Sequence, residues 1–396
     1  MSNDRYHDYI ALLADAVRIP SVSTHEAAVA RFLVTAMAQR GLRSYVDKVG
    51  NAVGQIGDHG PEIMLLGHID TVPGDIPVTI RDGNLYGRGT VDAKGPFVAF
   101  ICAAAALAAQ GELPFRLTLV GAVEEEYATS RGAHYVAHHH RPDACIIGEP
   151  SGWERVTLGY KGRVLLDICT TQGSAHSAGP EPSAPERCMA VWQRIQHYCA
   201  QHNQHQPLLF DQILPSLRQI SSGSDGLTDW AQAMVGIRIP PAAMISSLID
   251  DIAQLGDVHT TLLFRDACSA WQSGKNDPCA TAFIRAIRAV GGKPGYLRKT
   301  GTADMNVVAP IWQCPIIAYG PGDSSLDHTA HEHVSIVEFG KGVDTLIAAL
   351  PLLAQRLIST KAVESVSIEL NRAVVRYEEI LRETVGDDYA YSQSVQ

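Results

Sequence analysis

At 396 residues, with 46 % apolar and 19 % charged side chains, the chain is too long for one ordinary core and too apolar to be disordered, so two domains are expected. A formal charge of −10 argues against general nucleic-acid affinity. The longest apolar stretch, Phe97 to Ala109, is too short and alanine-rich to span a bilayer, and the N-terminus lacks a basic region followed by an apolar one; no membrane role is expected, and a cytoplasmic setting is.

Residues 4–18 and 25–40 read as amphipathic helices, the second stopped by Gly41. Apolar runs at 63–66, 116–123 and 144–147 read as strands, with a buried alanine-rich helix at 96–110 between the first two. Strands alternating with helices predict an α/β unit, a mixed and largely parallel sheet flanked by helices. The middle reads differently: a strand at 162–171, a helix at 184–201, strands near 213–221 and 232–239, a helix at 242–254 and a strand at 258–265. That β-α-β-β-α-β order is the ferredoxin-like split unit. After "SGKNDP" the α/β pattern resumes with a helix at 277–290. The chain is therefore divided into a catalytic domain, 1–160 and 272–396, and an inserted domain, 161–271. Eight cysteines without a CxxC pair read as reduced core thiols. "HHH" at 138–140 reads as a solvated helix end, the tail from about Tyr389 is polar and expected to fray, and the segment beyond residue 360 has no assigned role.

Ligands of open parallel α/β sheets sit beyond the carboxyl ends of the strands. Three predicted strands end there in acids or histidine: His68 and Asp70, the run Glu124 to Glu126, and Glu149. The glycine-rich loop "LYGRGTVDAKGP" presents Asp92, and "SSLDHTAHEHVS" supplies His328, His331 and Glu332. Singly, each has an ordinary explanation: a loop histidine, a solvated turn, a helix cap at Asp92. Together they form an inventory suited to two divalent ions, with one bridging carboxylate and one unbound carboxylate as general base. In the acidic run, adjacent carboxylates point in different directions, so one can bind metal while its neighbour handles protons.

In this order "GHIDTVPG", "YGRGTVDAKGP", "VEEEYATSRGA", "IIGEPS" and "HTAHE" resemble the M20 family of co-catalytic metallohydrolases over essentially the whole chain. The resemblance implies two metal ions, zinc with cobalt as an option. His68 and Glu149 would hold one, Glu125 and His328 the other, with Asp92 bridging. It also implies that Asp70 orients His68, that Glu124 is the general base, and that Lys94 is structural. The inserted domain resembles the family's dimerisation lid, so a homodimer is expected, with His176 reaching the neighbouring subunit's site to stabilise the oxyanion.

"GHIDTVPGDIPV" and "RKTGTADMNV" are most similar to the branch that releases lysine or ornithine from the amino-group carrier protein LysW. Thr300, Gly301 and Thr302 would then form a substrate-side loop, with Arg238 meeting a carboxylate. A small N-acyl amino acid, as in acetylornithine deacetylases and succinyl-diaminopimelate desuccinylases, is the alternative substrate. A binding protein that has lost catalysis is disfavoured because no expected ligand or base is missing. The carrier is acidic, so docking on a chain of charge −10 needs a local basic surface, for which 159–163 and 293–299 are candidates.

Overall fold

The structure, a computed structural model, describes residues 2–385. Its centre is the strand Glu62–His68, paired in parallel with Arg116–Ala122 on one side and Ala144–Gly148 on the other. Ile316–Ala318 continues the parallel set beside Ala144–Gly148. The flanks are mixed. Ala52–Ile56 and Arg43–Val46 join antiparallel at one edge. At the other, Arg155–Tyr160 runs antiparallel to Ile316–Ala318 and takes Trp271–Gln272 antiparallel and Gly295–Lys299 parallel. Parallel pairing thus dominates the centre and gives way towards both edges.

Both faces of the central strand are buried, which is why it reads as an unbroken apolar run. Ile63 and Leu65 enter one core and Met64 and Leu66 the other, the alternation a pleated strand imposes. The helix Lys94–Ala108 is buried on nearly every side, because it lies between the sheet and the helix Ile336–Val385. Small alanine side chains allow that close three-layer packing.

Residues from Gly162 to Cys268 build a separate four-stranded antiparallel sheet, in the order Leu214–Ser224, Thr228–Ile239, Gly162–Gly173, Thr260–Cys268. The helices Ala184–Asn203 and Ile245–Ala253 share with it a core of its own, including Leu166, Trp192, Ile195, Val235 and Leu248. Ser183 and Glu186 form a capping box that starts the first of these helices. The strands Leu214–Ser224 and Thr228–Ile239 extend beyond the expected 213–221 and 232–239, and residues 228–231 also pair with the end of Gly162–Gly173. The extra residues, "SGS" and "TDWA", show no apolar alternation, so periodicity carries no sign of them.

The eight cysteines are free. Among the described residues no helix is long and apolar enough to cross a membrane. His138 and His139 close the helix Arg131–His139 and are exposed. The expected fraying from Tyr389 lies outside the described residues.

One buried amide fixes the sheet edge next to the acidic run. Asn51 Oδ1 accepts from the Val123 amide, while its Nδ2 donates to Asp47 and to the Gly132 carbonyl. Only glycine fits at 132, since a Cβ there would stand 2.5 Å from both Asn51 Oδ1 and Val123 N. Asn51→Ala leaves the Val123 amide unpaired, at a cost of about 1–3 kcal/mol. Thermal melting should show the midpoint several degrees below wild type, and an unchanged midpoint would contradict this role.

Candidate metal centre and active-site cleft

His68 ends the central strand and is almost fully buried. Its Nδ1 lies 3.3 Å from Asp70 Oδ1, and its Nε2 faces Asp92 Oδ1 at 3.1 Å and Glu149 Oε1 at 3.8 Å. The other oxygen of Asp92, Oδ2, lies 3.0 Å from His328 Nε2, which is also 2.7 Å from Glu126 Oε1. Three donor trios result, His68–Glu125–Glu126, His68–Asp92–Glu149 and Asp92–Glu126–His328, and the last two share Asp92 with one oxygen turned to each.

Buried carboxylates set the loops that present these donors. Asp70 is fully buried and accepts from Ser23 Oγ and from the amides of Glu125 and Glu126. Burial pushes its carboxyl up, but the bonds from His68, Ser23 and Glu126 overcome this and hold it below the usual range. Glu332, also fully buried, accepts from the amides of Gly89, Val91 and Asp92 and pairs with Arg88 at 2.7 Å. The acid that ends the stretch "HTAHE" is therefore a clamp on the Asp92 loop. Lys94 is buried and donates to the carbonyls of Ala16 and Ile19, tying that loop to the end of the first helix.

The acidic run is offset by one residue from the expectation. Glu124, the expected general base, adopts a left-handed backbone, φ 61°. Its side chain turns to Arg131 Nη2 at 2.8 Å and Thr129 Oγ1. That turn carries Glu125 and Glu126 into the site instead. Glu126, not Glu125, faces His328, and Glu125 lies with its Oε2 3.9 Å from His68 Nε2. Three identical side chains in a row carry no residue-type signal for the register. Only the local backbone reversal and the salt link to Arg131 decide it.

Carboxylates outnumber imidazoles in the donor set. Burial, with the Asp92 charge, pushes Glu149 up to about 8. Burial likewise raises Glu125, with Glu149 and Asp304 adding to it against the pull of His68. Asp304, in the first turn of the helix Asp304–Trp312, is raised to about 7 by burial, and neither of its oxygens has a hydrogen-bond partner among the described residues. Crowded oxygen donors with imidazole nitrogens suit a pair of divalent cations that share one carboxylate.

Above the donors opens a cleft of about 700 Å³. One wall comes from the four-stranded sheet, with Arg163, Arg218 and Arg238; another carries Arg298, Lys299 and the loop Thr300, Gly301 and Thr302. Arg238 donates to Thr302 Oγ1 at 3.0 Å, so these two expected substrate contacts meet. No atom lies within 4 Å of where a Cβ would stand at Gly301, so close packing does not require glycine there. His176 is exposed, accepts from the Ala178 amide, and does not line this cleft. The basic candidates at 159–163 and 293–299 contribute Arg163, Arg298 and Lys299, whereas Lys161 is buried against the Gln212 carbonyl. Arg218, Tyr160 and Asp327 also join the lining; Tyr160 lies in the basic candidate 159–163 and Asp327 in the stretch that supplies His328, but neither is singled out there.

A family model described as Peptidase family M20/M25/M40 matches residues 64–351. The chain belongs to this family. The [LysW]-lysine hydrolase of Deinococcus radiodurans is 43 % identical over 86 % of this chain and 96 % of its own length. A putative [LysW]-lysine/[LysW]-ornithine hydrolase of Thermococcus kodakarensis is 35 % identical over 85 % of this chain and 90 % of its own. The Bacillus subtilis YXEP protein, described as a dinuclear metal-binding peptidase of the M20 family, superposes with a TM-score of 0.68 at 13 % identity, covering 90 % of this chain and 99 % of its own. The protein is thus an M20 hydrolase with donors for two metal ions.

The offset in the acidic run has a direct readout. Glu126→Ala should bind one metal equivalent fewer than wild type by elemental analysis, while Glu124→Ala retains the wild-type content. The reverse pattern would restore the register expected from sequence.

Proposed function

We propose that this protein is a two-metal amide hydrolase that releases lysine, ornithine or both from the C-terminal glutamate of an acidic LysW carrier protein. The observation that carries the reading is Asp92, one oxygen turned to His68 and the other to His328, at the floor of a cleft walled by cations. The names of the relatives point to the same carrier-linked substrates. Zinc suits the mixed imidazole and carboxylate donors, with cobalt able to replace it. His68, Asp92 and Glu149 would hold one ion, and Asp92, Glu126 and His328 the other.

The ion pair, when bound, supplies Lewis acidity to the amide carbonyl and makes a shared water easier to deprotonate. Glu125 is the general base: it joins only the trio with His68 and Glu126, outside the two that share Asp92, and its carboxylate stands beside His68. It takes the proton of the attacking water and passes it to the departing amine. Asp70 keeps the His68 ring in place through Nδ1. Arg238, with the 300–302 loop, receives a substrate carboxylate.

The insert 161–271 is proposed as a ferredoxin-like lid that joins two copies of the chain. Its edge strand Leu214–Ser224 is open on one side, and Ile220 and Leu263 are exposed on the sheet. In that homodimer His176 of the partner subunit would donate to the developing oxyanion, an effect worth a few kcal/mol of barrier. A cytoplasmic setting fits the free thiols.

The cleft cations answer the charge objection. A net charge of −10 describes the whole chain, whereas Arg163, Arg218, Arg238, Arg298 and Lys299 converge at one opening. The zinc-loaded enzyme should therefore hydrolyse carrier-linked lysine or ornithine, more slowly as salt rises, in preference to acetylornithine and succinyl-diaminopimelate. Glu125→Gln should lower kcat by about 10²–10⁴. Turnover of the small substrates alone would overturn the carrier reading.

A further inference from the structure

Buried polar atoms in folded proteins nearly always have a partner, and those that lack one ask for an explanation. Among the described residues, three such atoms belong to side chains lining the same cleft: Tyr160 Oη, Arg163 Nε and Asp327 Oδ1. Tyr160 is 1 % exposed and ends a strand of the large sheet, so its hydroxyl is held in place by the core. Asp327 follows the short helical turn Ser324–Leu326, far along the chain from that strand.

Five acids line the cleft: Asp92, Glu125, Glu126, Glu149 and Asp327. Asp92, Glu126 and Glu149 belong to the donor trios sharing Asp92, and Glu125 stands beside His68 as the proposed base. Asp327 is left without a task. It belongs to none of the donor trios and forms no ion pair among the described residues, although Lys299 lines the same cleft.

A diamino acid held through its α-amine offers two charged groups, an α-carboxylate and a side-chain ammonium. The carboxylate has several candidate cations on the cleft walls. The ammonium needs an acceptor that neither the ions nor the base occupies. We propose that Asp327, together with the Tyr160 hydroxyl, binds the side-chain ammonium of the amino acid being released. This rests on the amide-hydrolase reading and deepens it by assigning the group that selects a basic over an apolar amino acid. An ammonium has three donors, and a carboxylate oxygen with a phenolic oxygen accepts two of them. Burial makes the selection sharp, because an apolar analogue leaves both acceptors unpaired.

The test compares the carrier bearing lysine with the carrier bearing norleucine, in which a hydrogen replaces the ammonium and the side chain ends in a methyl group. Wild-type holoenzyme should prefer the lysyl substrate by about 100-fold in kcat/KM. In Asp327→Asn that ratio should fall at least about tenfold, with Asp327→Glu recovering part of it and Tyr160→Phe giving a smaller loss. Metal content is measured alongside, because Asp327 adjoins His328. An unaltered ratio in Asp327→Asn, including an equal fall for both substrates, overturns the proposal and shows the acid acting through its neighbour. If wild type cleaves neither carrier substrate, the hydrolase reading fails separately. Calorimetric binding of free lysine and norleucine to the holoenzyme then decides the ammonium site: a lysine preference lost in Asp327→Asn supports it, and equal binding in wild type overturns it.

Discussion

The buried carboxylate of Asp70 joins three segments that are distant in sequence. It touches the ring of His68, the hydroxyl of Ser23, and the amides of Glu125 and Glu126. A fully buried anion without such partners would be costly, so its bonds are a condition of the fold as well as of the site. Glu332 acts in the same way on the loop of Asp92. Two acids that face no substrate thereby fix the positions of those that do. The arrangement separates work that a sequence motif runs together: some of its acids hold backbone, while others hold charge for a ligand.

Charge is distributed by depth. The floor concentrates carboxylates, several raised in pKa by burial, and this favours cations. The walls concentrate arginine and lysine, which favours a carboxylate-bearing substrate. These opposite fields sit within one opening because the two sheets meet there. The large sheet delivers donors from its strand ends, and the antiparallel sheet contributes Arg163, Arg218 and Arg238 from its strands. Neither sheet alone contains the complete cleft.

Much of this was legible in the sequence, for identifiable reasons. The central strand is buried on both faces, so its apolar run and its exit into His68 and Asp70 were visible. His68, Asp92, Glu149 and His328 do converge, and each follows a distinct motif. The acidic run did not yield its register, because Glu124, Glu125 and Glu126 are chemically identical and a left-handed residue decides which two turn inward. Arg218 lies in an expected strand whose spacing says nothing of a site, and Asp327 beside a histidine carries no separate signal. Their importance comes from the cleft that folding creates.

The account depends most on Asp92 serving two cations at once. Anomalous diffraction from crystals of the zinc-loaded protein measures this directly. Two peaks about 3.5–4 Å apart, one on each side of Asp92, with His68 and Glu149 at the first and Glu126 and His328 at the second, are the predicted result. A single peak, or two that do not share Asp92, would contradict it.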